Sequence, residues 1–303
     1  MGELKLVEDY IPIIALFGFI GLGVLSKILL NKYNCFNKFI EYLSKVVYYI
    51  LLSAVFLDTF ASRGLELADA NVAITTLIYV VISIAILVNL RFLRDPISRR
   101  AVAITSTFQN SVFLGFPVLM IVYGDIGAAA MYGLMMFILQ ILISGLLAVA
   151  KQNLLKAILK IPVIYGFSIG VTIHYLFSDI YQWMAPILAP THLMLSYGAV
   201  YVLGATIPLS IKPIAIHKIE ALIIGLWRFL ISPIIHYTLI MLLELPLIYE
   251  AQIMVLSIMP PAVMNTVIAR IYNWKPEMVA STTMLYTFIG LLIVGILIIT
   301  NII

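Results

Sequence analysis

A chain of 303 residues in which 63% are hydrophobic and only 11% charged is too oily for a water-soluble domain, where about a quarter of residues carry charge. The net charge of +4 does not mark a nucleic-acid partner, because Lys and Arg gather at the ends of apolar runs rather than along one stripe. A single cysteine, Cys35, excludes an internal disulfide and leaves the redox compartment unread.

The opening "MGELKLVEDY" is acidic rather than basic. The apolar run behind it is of full spanning length, so it reads as a first membrane helix and not as a removable signal. Runs of about 20 apolar residues then recur to the end. Bounded by charge or turn residues, they predict ten spans near 10–30, 39–58, 70–92, 100–122, 126–150, 157–178, 191–210, 218–243, 251–271 and 277–302. The stretch "DIYQWMAPILAP", residues 179–190, is expected to lie along the outer interface, with Tyr181 and Trp183 in an aromatic belt.

Orientation follows from the basic residues. Fifteen of them, from Lys27 to Lys275, fall on one side of the ten spans, and only Lys5 and Arg63 on the other. The positive side is cytoplasmic, which puts both termini outside a cell (plasma) membrane. Arg228 is left inside a span.

The two chain halves, 1–152 and 153–303, carry matching features. "LFGFIGLGVL" in the first span and "VIYGFSIGVTI" in the sixth place Gly18, Gly21 and Gly23, and Gly166 and Gly170, where small residues let helix backbones approach. Asn110 and Asn265 occupy corresponding spans, the fourth and the ninth, and each of these is interrupted by proline. Five spans per half is an odd number, so the second copy must enter the bilayer in the opposite sense, a 5+5 inverted repeat. The expected fold class is an all-α membrane protein.

The fourth span, "AVAITSTFQNSVFLGFPVLMIVYG", and the ninth, "AQIMVLSIMPPAVMNTVIARI", are poor plain helices. Proline removes an amide donor and crowds the preceding turn; glycine lowers helix stability. Gly115 and Pro117 in one, Pro260 and Pro261 in the other, are expected to break the rods, with Pro117 opening a second half-helix. Inside a bilayer the freed backbone groups must face protein or a wet cavity. Gln109, Asn110 and Ser111, with Asn265 and Thr266, then stand beside the new helix ends as candidate solute-binding residues.

"FQNSVFLGFPVLMIVYGDIGAAAMYG" resembles the asparagine–glycine–proline signature of the auxin efflux carrier family, which includes bacterial and archaeal permeases and the plant PIN-formed carriers. "SIMPPAVMNTVIARIYNWKPEMVASTTMLYTFIGLLIVGILI" resembles that family's ending, and the likeness runs end to end. The first motif departs from the commoner pattern, with Ser111 after Asn110 and Phe116 before Pro117. The resemblance implies a fold like that of the bile-acid/sodium symporters. Spans 1, 2, 6 and 7 would form a scaffold, and spans 3–5 and 8–10 a transport subdomain, with helices 4 and 9 crossing at their breaks. It further implies elevator-type alternating access, often in a homodimer, with Asn110, Pro117, Pro260, Pro261 and Asn265 at the crossover.

Arg228 lies ten residues after Lys218, about 15 Å deep and near the bilayer midplane. An arginine there costs at least about 2.5 kcal/mol and must face protein or water. Two roles are open to it: pairing with a carboxylate guest, or satisfying backbone carbonyls. If it binds the guest, Arg228→Ala weakens transport more than folding. Gln140, and Thr206 with Pro208, suit interhelical hydrogen bonds; His174 and His236 are expected near outer helix ends in structural roles, and Asp58 as a loop anchor.

The function expected is secondary transport of a small organic anion, such as auxin or another carboxylate, with no cofactor and no metal. A sodium-coupled organic anion symporter of the bile-acid type is the alternative, although the crossover holds no acid to bind sodium. An intramembrane enzyme is not expected, since no HExxH, GxSxG or paired intramembrane aspartates occur.

Overall fold

The computed structural model describes residues 2–149, 154–207 and 212–300. These residues form helices and no strand: α1 (Gly2–Leu30), α2 (Asn34–Arg63), α3 (Leu67–Leu87), α4 (Pro96–Thr107), α5 (Ser111–Tyr123), α6 (Gly127–Leu147), α7 (Leu154–Ile158), α8 (Pro162–Leu176), α9 (Ser178–Thr206), α10 (Lys212–Ile216), α11 (Lys218–Leu242), α12 (Leu247–Ser257), α13 (Met264–Ile271) and α14 (Pro276–Ile299). Among the described residues, the six helices α2, α3, α6, α9, α11 and α14 are long and apolar enough to cross a membrane.

The pattern along α11 shows how such a helix is built. Leu222, Leu226, Leu230, Ile234, Tyr237 and Met241 recur at steps of three and four and are exposed. Ile224, Arg228, Ser232, His236 and Ile240 recur every four and are fully buried. An oily stripe facing out and a polar stripe facing in invert the arrangement of a water-soluble helix. That outer face suits hydrocarbon.

Packing divides the chain into two units. The first comprises Met1–Leu65, Val112–Ile126 and Pro162–Ile207, and the second Glu66–Ser111, Gly127–Ile161 and Pro208–Ile303. In the first unit α1 lies on α9 and α2 on α8. Glycine makes both approaches possible: a Cβ on Gly23 or Gly204 would strike the facing backbone of α9 or α1, and one on Gly166 or Gly170 the backbone of α2. Gly18 and Gly21 play no such part, since nothing lies within 4 Å of a Cβ at either. Lys27 closes the end of α9, donating to the carbonyls of Thr206 at 3.1 Å and Ile207 at 2.6 Å, where a cation is favoured by the helix dipole.

Several expected boundaries shift. The first helix starts at Gly2, and α2 runs from Asn34 to Arg63 through a π-turn at Val46–Leu51. Residues 179–190 are continuous with the span that follows: they form the first half of α9, which runs through Pro186 and Pro190. A strap from α2 supports that stretch. Asp58 accepts from Tyr181 at 3.0 Å and meets His192 Nε2 at 2.8 Å, on either side of the two prolines, so it is a helix-to-helix tie rather than a loop anchor. Pro208 lies outside the described residues.

In the second unit, three helix starts share one lysine. Lys275 Nζ, just before α14, meets Asp95 at 3.1 Å and Glu220 at 3.6 Å, and also bonds Ser98. Asp95 caps α4 by accepting from the Ile97 amide at 2.9 Å. Burial, the largest influence on the Asp95 carboxyl, pushes it up, but the Ile97 amide, Lys275 and Ser98 together hold it below its ordinary value.

Two outcomes are expected from this packing. Gly204→Val forces α1 and α9 apart and destabilises the protein by about 1–3 kcal/mol, whereas Gly18→Val leaves it unchanged; thermal unfolding in detergent distinguishes them. The folded-state value of Asp95 is depressed, so its stabilising effect is complete above the ordinary carboxylate range of about 4 and is lost as pH falls through the lower folded value. Asp95→Asn lowers stability at neutral pH and flattens its decline in acid, read from unfolding curves between neutral pH and about pH 3.

Candidate functional site

Two interruptions meet within the second unit. After Thr107 the chain leaves α4, with Phe108 extended at φ −92° and ψ 105°, and α5 begins at Ser111. After Ser257 it leaves α12, passes Pro260 and Pro261, and re-enters helix at Met264. The gaps meet in a single antiparallel bridge: the Asn110 amide donates to the Pro260 carbonyl at 2.7 Å, and the Ala262 amide to the Phe108 carbonyl at 2.9 Å. Each gap supplies groups that the other lost on leaving its helix. Pro261 faces Gln109 at the position between these two bonds, where the pairing asks for no amide. Gly290 on α14 makes room for the Pro260 ring, which would lie 2.9 Å from an added Cβ.

The first interruption falls upstream of the place expected for it. Gly115 and Pro117 lie inside α5, not at the break: Ser111–Gly115 form a π-turn, and Pro117 is the second residue of the α-helical part that follows. A π-turn widens the helix at the turn where a proline ring would crowd the carbonyl behind it. The pairing with residues 260–262 sets the break instead.

Arg228 stands at this crossing, fully buried. Its Nε donates to the Met259 carbonyl at 3.0 Å, and its Nη2 to the Ser257 carbonyl at 2.7 Å. Its Nη1 faces Tyr79 OH at 2.8 Å, the Ser106 carbonyl at 3.1 Å, and Gln109 Oε1 and Ser232 Oγ at 3.3 Å each. All six partners are neutral oxygens. Ser106 and Ser257 belong to the last turns of α4 and α12, whose carbonyl ends each carry about half a negative charge. Together they offset one guanidinium. The carbonyl-satisfying role is therefore the one Arg228 fills, and no second N–H is left beside Nη2 to make the fork a carboxylate would want.

Gln109 is committed in the same way. Its Oε1 faces Arg228, and its Nε2 donates to Tyr132 OH. Tyr132 OH is 2.8 Å from His236 Nε2, and His236 Nδ1 is 2.8 Å from the Ser232 carbonyl. A carbonyl can only accept, so Nδ1 carries the proton and Nε2 accepts from Tyr132. His236 is thus a fully buried member of this chain of hydrogen bonds. Asn265 is spent too: Oδ1 accepts from Gln140 at 2.7 Å and Nδ2 donates to the Phe108 carbonyl at 2.8 Å.

Asn110 differs. It is 2% exposed, yet its Nδ2 has no partner. Ser106 Oγ and Thr107 Oγ1, one turn earlier, are also buried without partners. Beyond the pairing, the amides of Asn265 and Thr266 turn back to the carbonyls of Ala262 and Val263 at 3.1 and 3.0 Å, leaving those of Val263 and Met264 as donors at the start of α13. Ser111 is buried and Thr266 half-buried. Of the residues expected to bind solute, Asn110 alone keeps a buried, idle donor; Gln109, Asn265 and Arg228 hold the frame.

Sequence reading passed over Tyr79, Tyr132 and Ser232. Arg228, Ser232 and His236 at four-residue steps on an apolar helix were the available signal. Among the described residues, no three His, Cys, Asp or Glu side chains gather where they could hold a metal ion. No family model and no curated protein matches the chain.

Removing the guanidinium strands several buried carbonyls at about 1–3 kcal/mol each. Arg228→Met is expected to lose at least about 3 kcal/mol of stability and Arg228→Lys a smaller part, measured by thermal unfolding in detergent. Arg228 loss then harms folding first, the reverse of the order that a guest-binding role would give.

Proposed function

We propose that this protein is a secondary transporter that moves a small organic anion across the cell membrane. The observation that carries the reading is Asn110 Nδ2, an idle amide donor buried where two broken helices pair. An unmatched polar group in a dry interior costs free energy, and a guest acceptor that completes it returns that cost. Broken helices in corresponding halves of a chain are also the sequence mark of a transport site. The donors left over, the Asn110 amide side chain and the start of α13, suit an anion or a strongly polar acceptor.

The ten expected spans accord with this reading when α4 with α5, and α12 with α13, each count as one interrupted span beside α1, α2, α3, α6, α8, α9, α11 and α14. On that count the chain is a 5+5 inverted repeat. We take the exchange to be elevator-type, with spans 3–5 and 8–10 carrying the solute. We take the protein to be a homodimer with both termini outside. Sodium coupling is disfavoured by Arg228, which already occupies the oxygen-rich position of the crossing.

Proteoliposomes holding the full chain are expected to exchange labelled indole-acetate or a simple carboxylate. The rate should be unchanged when sodium is replaced by choline. Asn110→Ala should cut exchange about tenfold, the effect of about 1.4 kcal/mol, with an unfolding temperature close to that of the parent. Folded protein that exchanges no carboxylate sinks the proposal.

A further inference from the structure

We infer that the crossing accepts one negative charge and rejects two, so that its guests are monoanions rather than dicarboxylates. This rests on the transport reading above and concerns how much charge the same site can offset. Arg228 and Asp69 are the charged side chains buried to less than a tenth exposure among the described residues. Asp69 bonds the Glu66 amide at 2.9 Å, at the start of α3, where a helix N-terminus favours an acid.

The positive charge of Arg228 is not free. The carbonyl ends of α4 and α12, through Ser106 and Ser257, contribute about half a negative charge each. Their sum matches the guanidinium, and Met259, Tyr79, Gln109 and Ser232 fill its remaining directions. What remains for a guest is neutral: Asn110 Nδ2, buried without a partner, and the amides opening α13, with about half a positive charge from its dipole. Such a set stabilises one carboxylate by hydrogen bonds. A second carboxylate entering the same buried region would find no cation, and an unpaired buried charge is far costlier than an unpaired dipole.

The test compares three acids of similar length: hexanoate, adipate and the monomethyl ester of adipate. Binding to the purified full chain is measured by titration calorimetry at pH 7.5, where both adipate carboxyls are ionised. Hexanoate and the ester are expected to bind alike, and adipate at least about 100-fold more weakly. The ester separates charge from polarity, because it keeps oxygen atoms at the far end. A second variant reads the same limit by gain of function: Asn110→Lys adds a cation and is expected to narrow the gap between adipate and its ester at least about tenfold. Adipate binding as tightly as its ester overturns the single-charge limit while leaving the transport reading intact. Folded protein that binds none of the three overturns the transport reading itself. Should Asn110→Lys fail to fold, the comparison on the parent chain decides alone.

Discussion

A helix interrupted among buried residues leaves amides and carbonyls that no water can satisfy, and everything else at this crossing answers that one demand. Residues 108–110 and 260–262 meet it by pairing with each other through two backbone hydrogen bonds. Neither interruption is tolerable alone. The mutual satisfaction explains why the first break falls at Phe108–Asn110 rather than at Gly115 and Pro117, whose local chemistry looks more disruptive. A break goes where a partner exists to repair it, and Pro117 is absorbed by a π-turn instead.

Pairing two gaps solves the backbone problem but creates an electrostatic one, since two carbonyl ends now point at the same buried guanidinium. Arg228 is the answer to that second problem. A guanidinium is planar, permanently charged and weakly hydrated, so it can span Ser106 at the end of α4, Ser257 at the end of α12 and Met259 in the interruption beyond it. Gln109 links this cation to Tyr132 and His236, and each member has one orientation that satisfies its neighbours. The network is rigid because no member can turn without stranding another. Against this background Asn110 Nδ2 stands out as a buried donor without a partner.

Away from the crossing, the first unit is held by a different device. Gly23 and Gly204, and Gly166 and Gly170, bring helix backbones into contact where any side chain would intrude. In lipid the hydrophobic effect adds little between helices, and close packing carries the association. Asp58 adds a polar tie across the proline-bearing half of α9. Not every glycine in the motif serves this purpose: Gly18 and Gly21 face open space. Spacing within one helix cannot say which of its faces meets a neighbour.

Composition and the recurrence of apolar runs were enough to read an all-helical chain with membrane-crossing segments, because the cost of leaving a backbone group unpaired in hydrocarbon allows few alternatives. Prolines and mid-span amides were enough to mark both interrupted spans and to single out Asn110, Asn265 and Gln109, and a charge ten residues into an apolar span singled out Arg228. Their roles were not legible. Asn265 and Asn110 are the same residue type, each beside an interruption, yet the Asn265 amide is bonded at both its oxygen and its nitrogen while Asn110 Nδ2 has no partner; Arg228 could equally have met a guest or a carbonyl. Those outcomes turn on which oxygen lies within 3 Å of which nitrogen, and that is decided only when distant segments pack. Sequence set the inventory of donors and acceptors, and tertiary structure alone determined which of them were left over.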